Sequence, residues 1–204
     1  MMKVEIRAAN DATIEGYVNA VGRDSRVMRR AGGGKFIEQI VPKAFERALQ
    51  RAKNVEVRFN HRAALGSTKD GSLELHEDNI GLYARAKISD ETIIAKAKKH
   101  ELRGWSFGFV CSADRWEDAG DGMQRRFIED MELREVSILD KTPAYIATSI
   151  EMRGDEGAFE ESRLYGEEFE VRDLTPPEPK KTDTENLNVF DKEIELIKIG
   201  GKKA

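Results

Sequence analysis

Short runs of alternating apolar and polar residues recur from Val4 to Leu139, and this period of two is the strongest constraint on what the chain folds into. Val4–Arg7 alternates, Ile14–Val21 is a longer β-like run, and Phe36–Val41 also reads as a strand. Val55–Phe59 alternates without a break and delivers Asn60 and His61 at its end. Ser72–His76 and Gly81–Ile88 read as a hairpin around Asp78 and Asn79. Gly104–Cys111 is a strand rich in aromatics, and Arg125–Glu129 and Leu133–Leu139 read as two more. Between these runs Pro42 opens a helix through Ala44, Phe45, Ala48 and Leu49, and Ser89–Thr92 caps another reaching about Leu102. About eight strands with two interspersed helices predict a mainly β (α+β) body, a barrel or sandwich with helical additions.

The body ends near residue 150. The chain from Glu151 on holds 15 acidic and 9 basic residues, a net of −6, whereas the preceding 150 residues carry a net of +2. Three of the five prolines fall in Thr175–Lys181, which suits neither helix nor sheet interior. Residues 1–150 are therefore expected to form one domain, with 151–204 an acidic, largely flexible extension. The spacing of Leu187, Val189, Phe190, Ile194, Leu196, Ile197 and Ile199 predicts one amphipathic helix near 187–199.

Several classes of function are excluded by content. One cysteine rules out an internal disulfide framework and any multi-cysteine zinc site, and three histidines leave little material for metal chemistry. A net charge of −4 is unlike the basic footprint of a nucleic-acid binder, so no nucleic-acid partner is expected. No run approaches the roughly 20 apolar residues that span a bilayer, and Met1–Arg7 lacks the apolar stretch of a secretory signal. The chain reads as soluble and intracellular, with no membrane partner. Ala31–Gly34 is a flexible loop and not a phosphate cradle, because no Lys-Ser/Thr pair follows it.

Four residues stand where chemistry is feasible. His61 closes a strand, a place that fixes a side chain and keeps it reachable, as a general base requires. The same pattern fits a partly exposed surface histidine. Ser106 lies between Gly104-Trp105 and Phe107-Gly108-Phe109, where glycines permit close backbone approach, and a serine becomes a nucleophile once a base takes its proton. A strand serine satisfied by backbone fits equally. Glu135 shares a strand face with Leu133 and Ser137, and a carboxylate there suits orienting an imidazole, or pairing with an arginine. Cys111, five residues after Ser106 and so on the opposite face, reads as a small apolar residue. His76 and His100 read as solvated surface residues.

Taken in order, certain segments carry a resemblance that none carries alone. They are Glu15-Gly16-Tyr17, Phe36–Phe45, Asn60-His61 with Leu65-Gly66, Gly81-Leu82, Gly104–Phe109, Leu133–Ile138 and Pro143-Ala144-Tyr145. The chain resembles the prohead maturation proteases of tailed bacteriophages, serine peptidases related to the herpesvirus protease assemblin. It departs from their pattern at Lys43, where glycine is common, and at Trp105, where a smaller side chain is expected beside the serine.

The resemblance implies a partly open β-barrel of about seven strands surrounded by helices, with His61 as base, Ser106 as nucleophile and Glu135 as third member. It also implies cleavage of the scaffolding segment of the major capsid protein, and of the protease itself, inside the assembling prohead in the bacterial host cytoplasm, with self-association as a homo-oligomer allowed and no cofactor or metal needed. Asp140-Lys141-Thr142 is the candidate for the oxyanion donors. A catalytically inert capsid-assembly or scaffold protein that keeps the barrel as a binding module is the alternative.

Overall fold

Alternation becomes strand almost everywhere it occurs. The computed structural model describes residues 2–29, 33–140, 150–152, 159–165 and 169–176. The first half runs β1 (Met2–Ala8), β2 (Asp11–Ala20), β3 (Met28–Arg29), β4 (Lys35–Ile40), α1 (Ala44–Arg51), β5 (Glu56–Phe59) and β6 (Ala63–Ser67). Then follow β7 (Leu73–Glu77), β8 (Gly81–Ile88), α2 (Glu91–Lys98), β9 (Gly104–Gly120) and β10 (Met123–Leu139). The series ends with β11 (Ile150–Met152), β12 (Phe159–Tyr165) and β13 (Phe169–Asp173).

These strands build two sheets. One has the order β13-β1-β2-β8-β7, and the other β11-β12-β9-β10-β4-β3, with β5 and β6 added beside β10. The mainly β character and the two helices agree with the alternation. Among the described residues, however, the strands lie in sheets of five and eight and do not close into a barrel.

β10 is the axis of the second sheet. The two runs expected at 125–129 and 133–139 are one strand of 17 residues, kept continuous across irregular register near Asp130 and Leu133. Along one side β10 pairs antiparallel with β9 over nearly its whole length. Along the other it pairs parallel with β4 through Met123–Ile128 and then parallel with β5 through Glu135–Ile138. The gap between these partners leaves backbone carbonyls that need donors. Helix α1 supplies them: Arg47 donates to the Glu129 carbonyl at 2.5 Å and Arg51 to the Met131 carbonyl at 3.1 Å.

Apolar faces meet between the sheets and α1. Trp105, Phe107 and Phe109 are buried on β9, with Phe107 packed edge-on against Phe45 of α1 at 5.3 Å. Alternation then puts Ser106 and Gly108 on the other face of β9. The Trp105 side chain thus belongs to the apolar core, so its departure from the family pattern bears on core packing and not on a pocket beside Ser106. Cys111 is half-buried against the same core.

The helix starts show two ways of satisfying orphan N–H groups. Asp90 caps α2 with its own carboxylate, accepting from Thr92 and Ile93. Lys43, at the cap of α1, sits at φ 73° and offers no side-chain cap. Glu77 of β7 does the work instead, accepting from the Lys43 and Glu46 N–H groups at 2.5 and 2.7 Å. The left-handed conformation explains why glycine suits position 43.

Part of the expected extension is structured. β13 pairs parallel with β1, Leu174 N–H donates to the Ile6 carbonyl, and Asp173 bridges to Lys98 of α2 at 3.0 Å. Hydrogen bonds from Thr175, then Lys98, hold the Asp173 carboxyl down at about 2. β12 pairs antiparallel with β9. The helix expected near 187–199 lies outside the described residues.

Two substitutions test these backbone constraints. Replacing Lys43 with glycine removes a left-handed penalty and is expected to raise stability by about 1 kcal/mol, read as a higher denaturant midpoint at unchanged slope. In Gly81→Ala the new Cβ meets the Asn19 carbonyl oxygen at 2.0 Å and the Ala20 Cα at 2.7 Å, both backbone atoms. It is expected to destabilise by about 1–3 kcal/mol, seen as a lower thermal midpoint.

Candidate active site

His61 owes its position to a turn. β5 ends at Phe59, and Asn60 and His61 follow at φ 51° and 61°, both left-handed. Arg62 N–H closes the turn onto the Phe59 carbonyl at 3.0 Å. Positive φ at both central residues is the pattern of a type I′ turn, which suits asparagine and costs a histidine energy. Surrounding bonds hold it there. Asn60 N–H donates to the Ile138 carbonyl, its side-chain amide donates to Asp140 Oδ1 at 2.9 Å, and Asp140 N–H returns a bond to Asn60 Oδ1. Lys96 of α2 pairs with the other Asp140 oxygen at 3.0 Å. That hydrogen bond raises the lysine's pKa above its ordinary value.

This turn brings His61 over β10. His61 Nδ1 lies 2.5 Å from Glu135 Oε1. The carboxylate is 2% exposed and the imidazole 28%, so one end of the pair is dry and the other reaches solvent. An ionised carboxylate only accepts, which assigns the proton to Nδ1 and leaves Nε2 with its lone pair free to take a proton. The pairing across β5 and β10, seventy-four residues apart in sequence, is visible only in three dimensions.

Ser106 stands on the neighbouring strand. In the β9–β10 register Ser106 is directly opposite Ser137, and Gly108 is directly opposite Glu135. Directly paired residues project to the same face. Ser106, Glu135 and Ser137 therefore share one face of the sheet, and Gly108 presents no side chain across from the carboxylate. Ser106 is 2% exposed. On its other side β9 pairs with β12, with Leu164 opposite Ser106.

The remaining expected positions divide clearly. His76 on β7 is exposed and packs beside Tyr83 at 5.2 Å, in the other sheet, and His100 is exposed just beyond α2. Of the expected oxyanion segment, Asp140 buttresses the His61 turn, whereas Lys141 and Thr142 lie outside the described residues, as do Ala31, Gly32 and Pro143-Ala144-Tyr145. The sequence pattern gives Ser137, Asp140 and Lys96 no part around this histidine. For Ser137 a signal was present, since it lies two residues from Glu135 on the same strand face. For the other two, no spacing rule foretells the contact.

Among the described residues, no cluster of histidine, cysteine and carboxylate side chains is arranged to hold a metal ion. No helix among them is long and apolar enough to cross a membrane. Comparison with curated proteins and with solved structures gives no match. The family model of the caudovirus prohead serine proteases matches residues 1–161, which takes in both sheets' long strands, the His61 turn and the serine strand. With most of its length so matched, the chain belongs to the caudovirus prohead serine protease family.

Proposed function

We propose that the protein is a serine endopeptidase of prohead maturation, with Ser106 as nucleophile, His61 as general base and Glu135 as the carboxylate that orients it. The observation that carries this is the 2.5 Å contact between His61 Nδ1 and a buried Glu135, on the sheet face shared with Ser106. A buried carboxylate against one imidazole nitrogen selects the tautomer whose other nitrogen accepts a proton. Family membership supplies the reaction class.

The steps follow acyl-transfer chemistry. His61 Nε2 takes the Ser106 hydroxyl proton as Oγ bonds to a peptide carbonyl carbon. The tetrahedral intermediate collapses, the C–N bond breaks, and Nε2 passes the proton to the departing amine. Water then loses a proton to Nε2 as it bonds to the ester carbon, the C–Oγ bond breaks, and Nε2 returns the proton to Ser106 Oγ, releasing the acid. Glu135 stays ionised throughout and stabilises the transient imidazolium. Because the Asp140 N–H is taken by Asn60 Oδ1, the backbone N–H groups of Lys141 and Thr142 are the proposed oxyanion donors from this segment, each worth about 3–4 kcal/mol in the transition state.

The substrate is the scaffolding segment of the major capsid protein, consistent with the family's prohead setting. The partly open barrel, the division into a protease domain at 1–150 and an extension at 151–204, and self-cleavage within that extension belong to the same proposal. An inert assembly protein with the same fold is the outcome that the following measurements separate.

Wild-type protein co-expressed with its capsid protein is expected to shorten it, as read by intact mass. Ser106→Ala and His61→Ala should each lower cleavage by a factor of ~10⁴ or more while the chain still folds. Glu135→Gln should lower kcat by a comparable factor of ~10⁴ with little change in KM. A near-wild-type rate in His61→Ala, or a capsid protein untouched by wild type, overturns the assignment.

Incubated alone, the wild-type chain should shorten from its C-terminus, while Ser106→Ala stays full length. Equal shortening of both would trace the cut to another protease.

A further inference from the structure

The geometry points to Ser137 as a positioning residue of this site, one whose hydroxyl ties the carboxylate and the histidine turn together. Ser137 is fully buried on β10, where a hydroxyl without partners costs free energy. It has two partners. Ser137 Oγ lies 2.5 Å from Glu135 Oε2, and His61 N–H donates to the same Oγ at 3.2 Å. A peptide N–H can only donate, and a hydroxyl owns one proton. Ser137 therefore gives its proton to the carboxylate and a lone pair to the backbone of the histidine.

Both carboxylate oxygens are thereby used, Oε1 by the imidazole and Oε2 by Ser137. Two bonds from different directions set the plane of the Glu135 carboxylate, which one bond to a ring would leave free to rotate. The bond from His61 N–H also helps hold residue 61 in its left-handed conformation. A β-strand needs no hydroxyl at this position. Two hydrogen bonds, each to a member of the proposed triad, are what distinguish serine here from alanine. Because its proton is committed to Glu135, Ser137 is not a second nucleophile, although it is the cross-strand neighbour of Ser106.

Ser137's role presupposes the triad proposed above, and the test separates the two. The full-length chain carries Ser137→Ala, Glu135→Gln or both, and capsid-protein cleavage is measured. Ser137→Ala is expected to lower kcat by about 10–100-fold, the loss of one hydrogen bond to a charged group, with KM unchanged. In the Glu135→Gln background the same substitution should lower kcat less than about 2-fold, because residues acting as one unit are not additive. A merely structural serine would give the same loss in both backgrounds, and that result overturns the proposal.

Proton NMR adds a readout independent of turnover. The His61 Nδ1–H should give a low-field resonance that is absent in Glu135→Gln and displaced, with faster solvent exchange, in Ser137→Ala. An unmoved resonance together with wild-type kcat in Ser137→Ala overturns the Ser137 role alone. Normal turnover in Glu135→Gln overturns the triad beneath it.

Discussion

One strand serves three partners, and the rest of the molecule depends on how it does so. β10 keeps β9 along one side throughout and exchanges β4 for β5 along the other. Such an exchange leaves backbone carbonyls stranded in the middle of a sheet, where each would cost free energy unpaired. Arg47 and Arg51 of α1 meet that need, so the helix is a structural part of the sheet and not a layer laid upon it. Because β5 begins its pairing only where β4 has left off, its end falls level with Ile138, and the turn that carries His61 arrives over Glu135. The position of the histidine is thus a consequence of strand order.

The site combines a dry carboxylate with a half-wet imidazole. A carboxyl group that is 2% exposed needs polar partners, and Glu135 finds them in the histidine ring and in the Ser137 hydroxyl. Around this centre the polar contacts form a continuous series, Lys96 to Asp140 to Asn60, which fixes a backbone conformation that asparagine tolerates better than histidine. Strain held at a histidine by its neighbours is a common mark of functional geometry. The opposite face of β9, with Trp105, Phe107 and Phe109, anchors the strand in the core and keeps the Ser106 face in place.

A parallel division of labour appears at the helix starts. Asp90 caps α2 from within its own segment, whereas α1 begins at a left-handed lysine and borrows Glu77 from β7. The first arrangement is local and is read directly from Ser89–Thr92. The second requires a strand more than thirty residues later in the chain to have folded against the helix, so Glu77 ties β7 to α1 as well as capping it.

Alternation and turn residues determined by themselves the identity of most elements through Leu139, because period two and period 3.6 are local properties of a chain; they left β3 unread and read Ala63–Ser67, which is β6, as a loop, since both strands depend on pairing with a neighbour. The same local signals marked His61 at a strand end, Ser106 between glycines and Glu135 on a strand face. They did not reveal that two β-runs form a single strand, since irregular register at Asp130 and Leu133 interrupts the alternation without ending the pairing. Nor did composition reveal β13, whose charged residues face solvent while its backbone completes the edge beside β1. Tertiary structure alone decided that Glu135 meets His61, that Ser106 lies opposite Ser137, and that a buried hydroxyl joins them. Those contacts depend on which strands lie side by side and in what register, which hydrogen bonding between distant segments sets and local residue pattern does not.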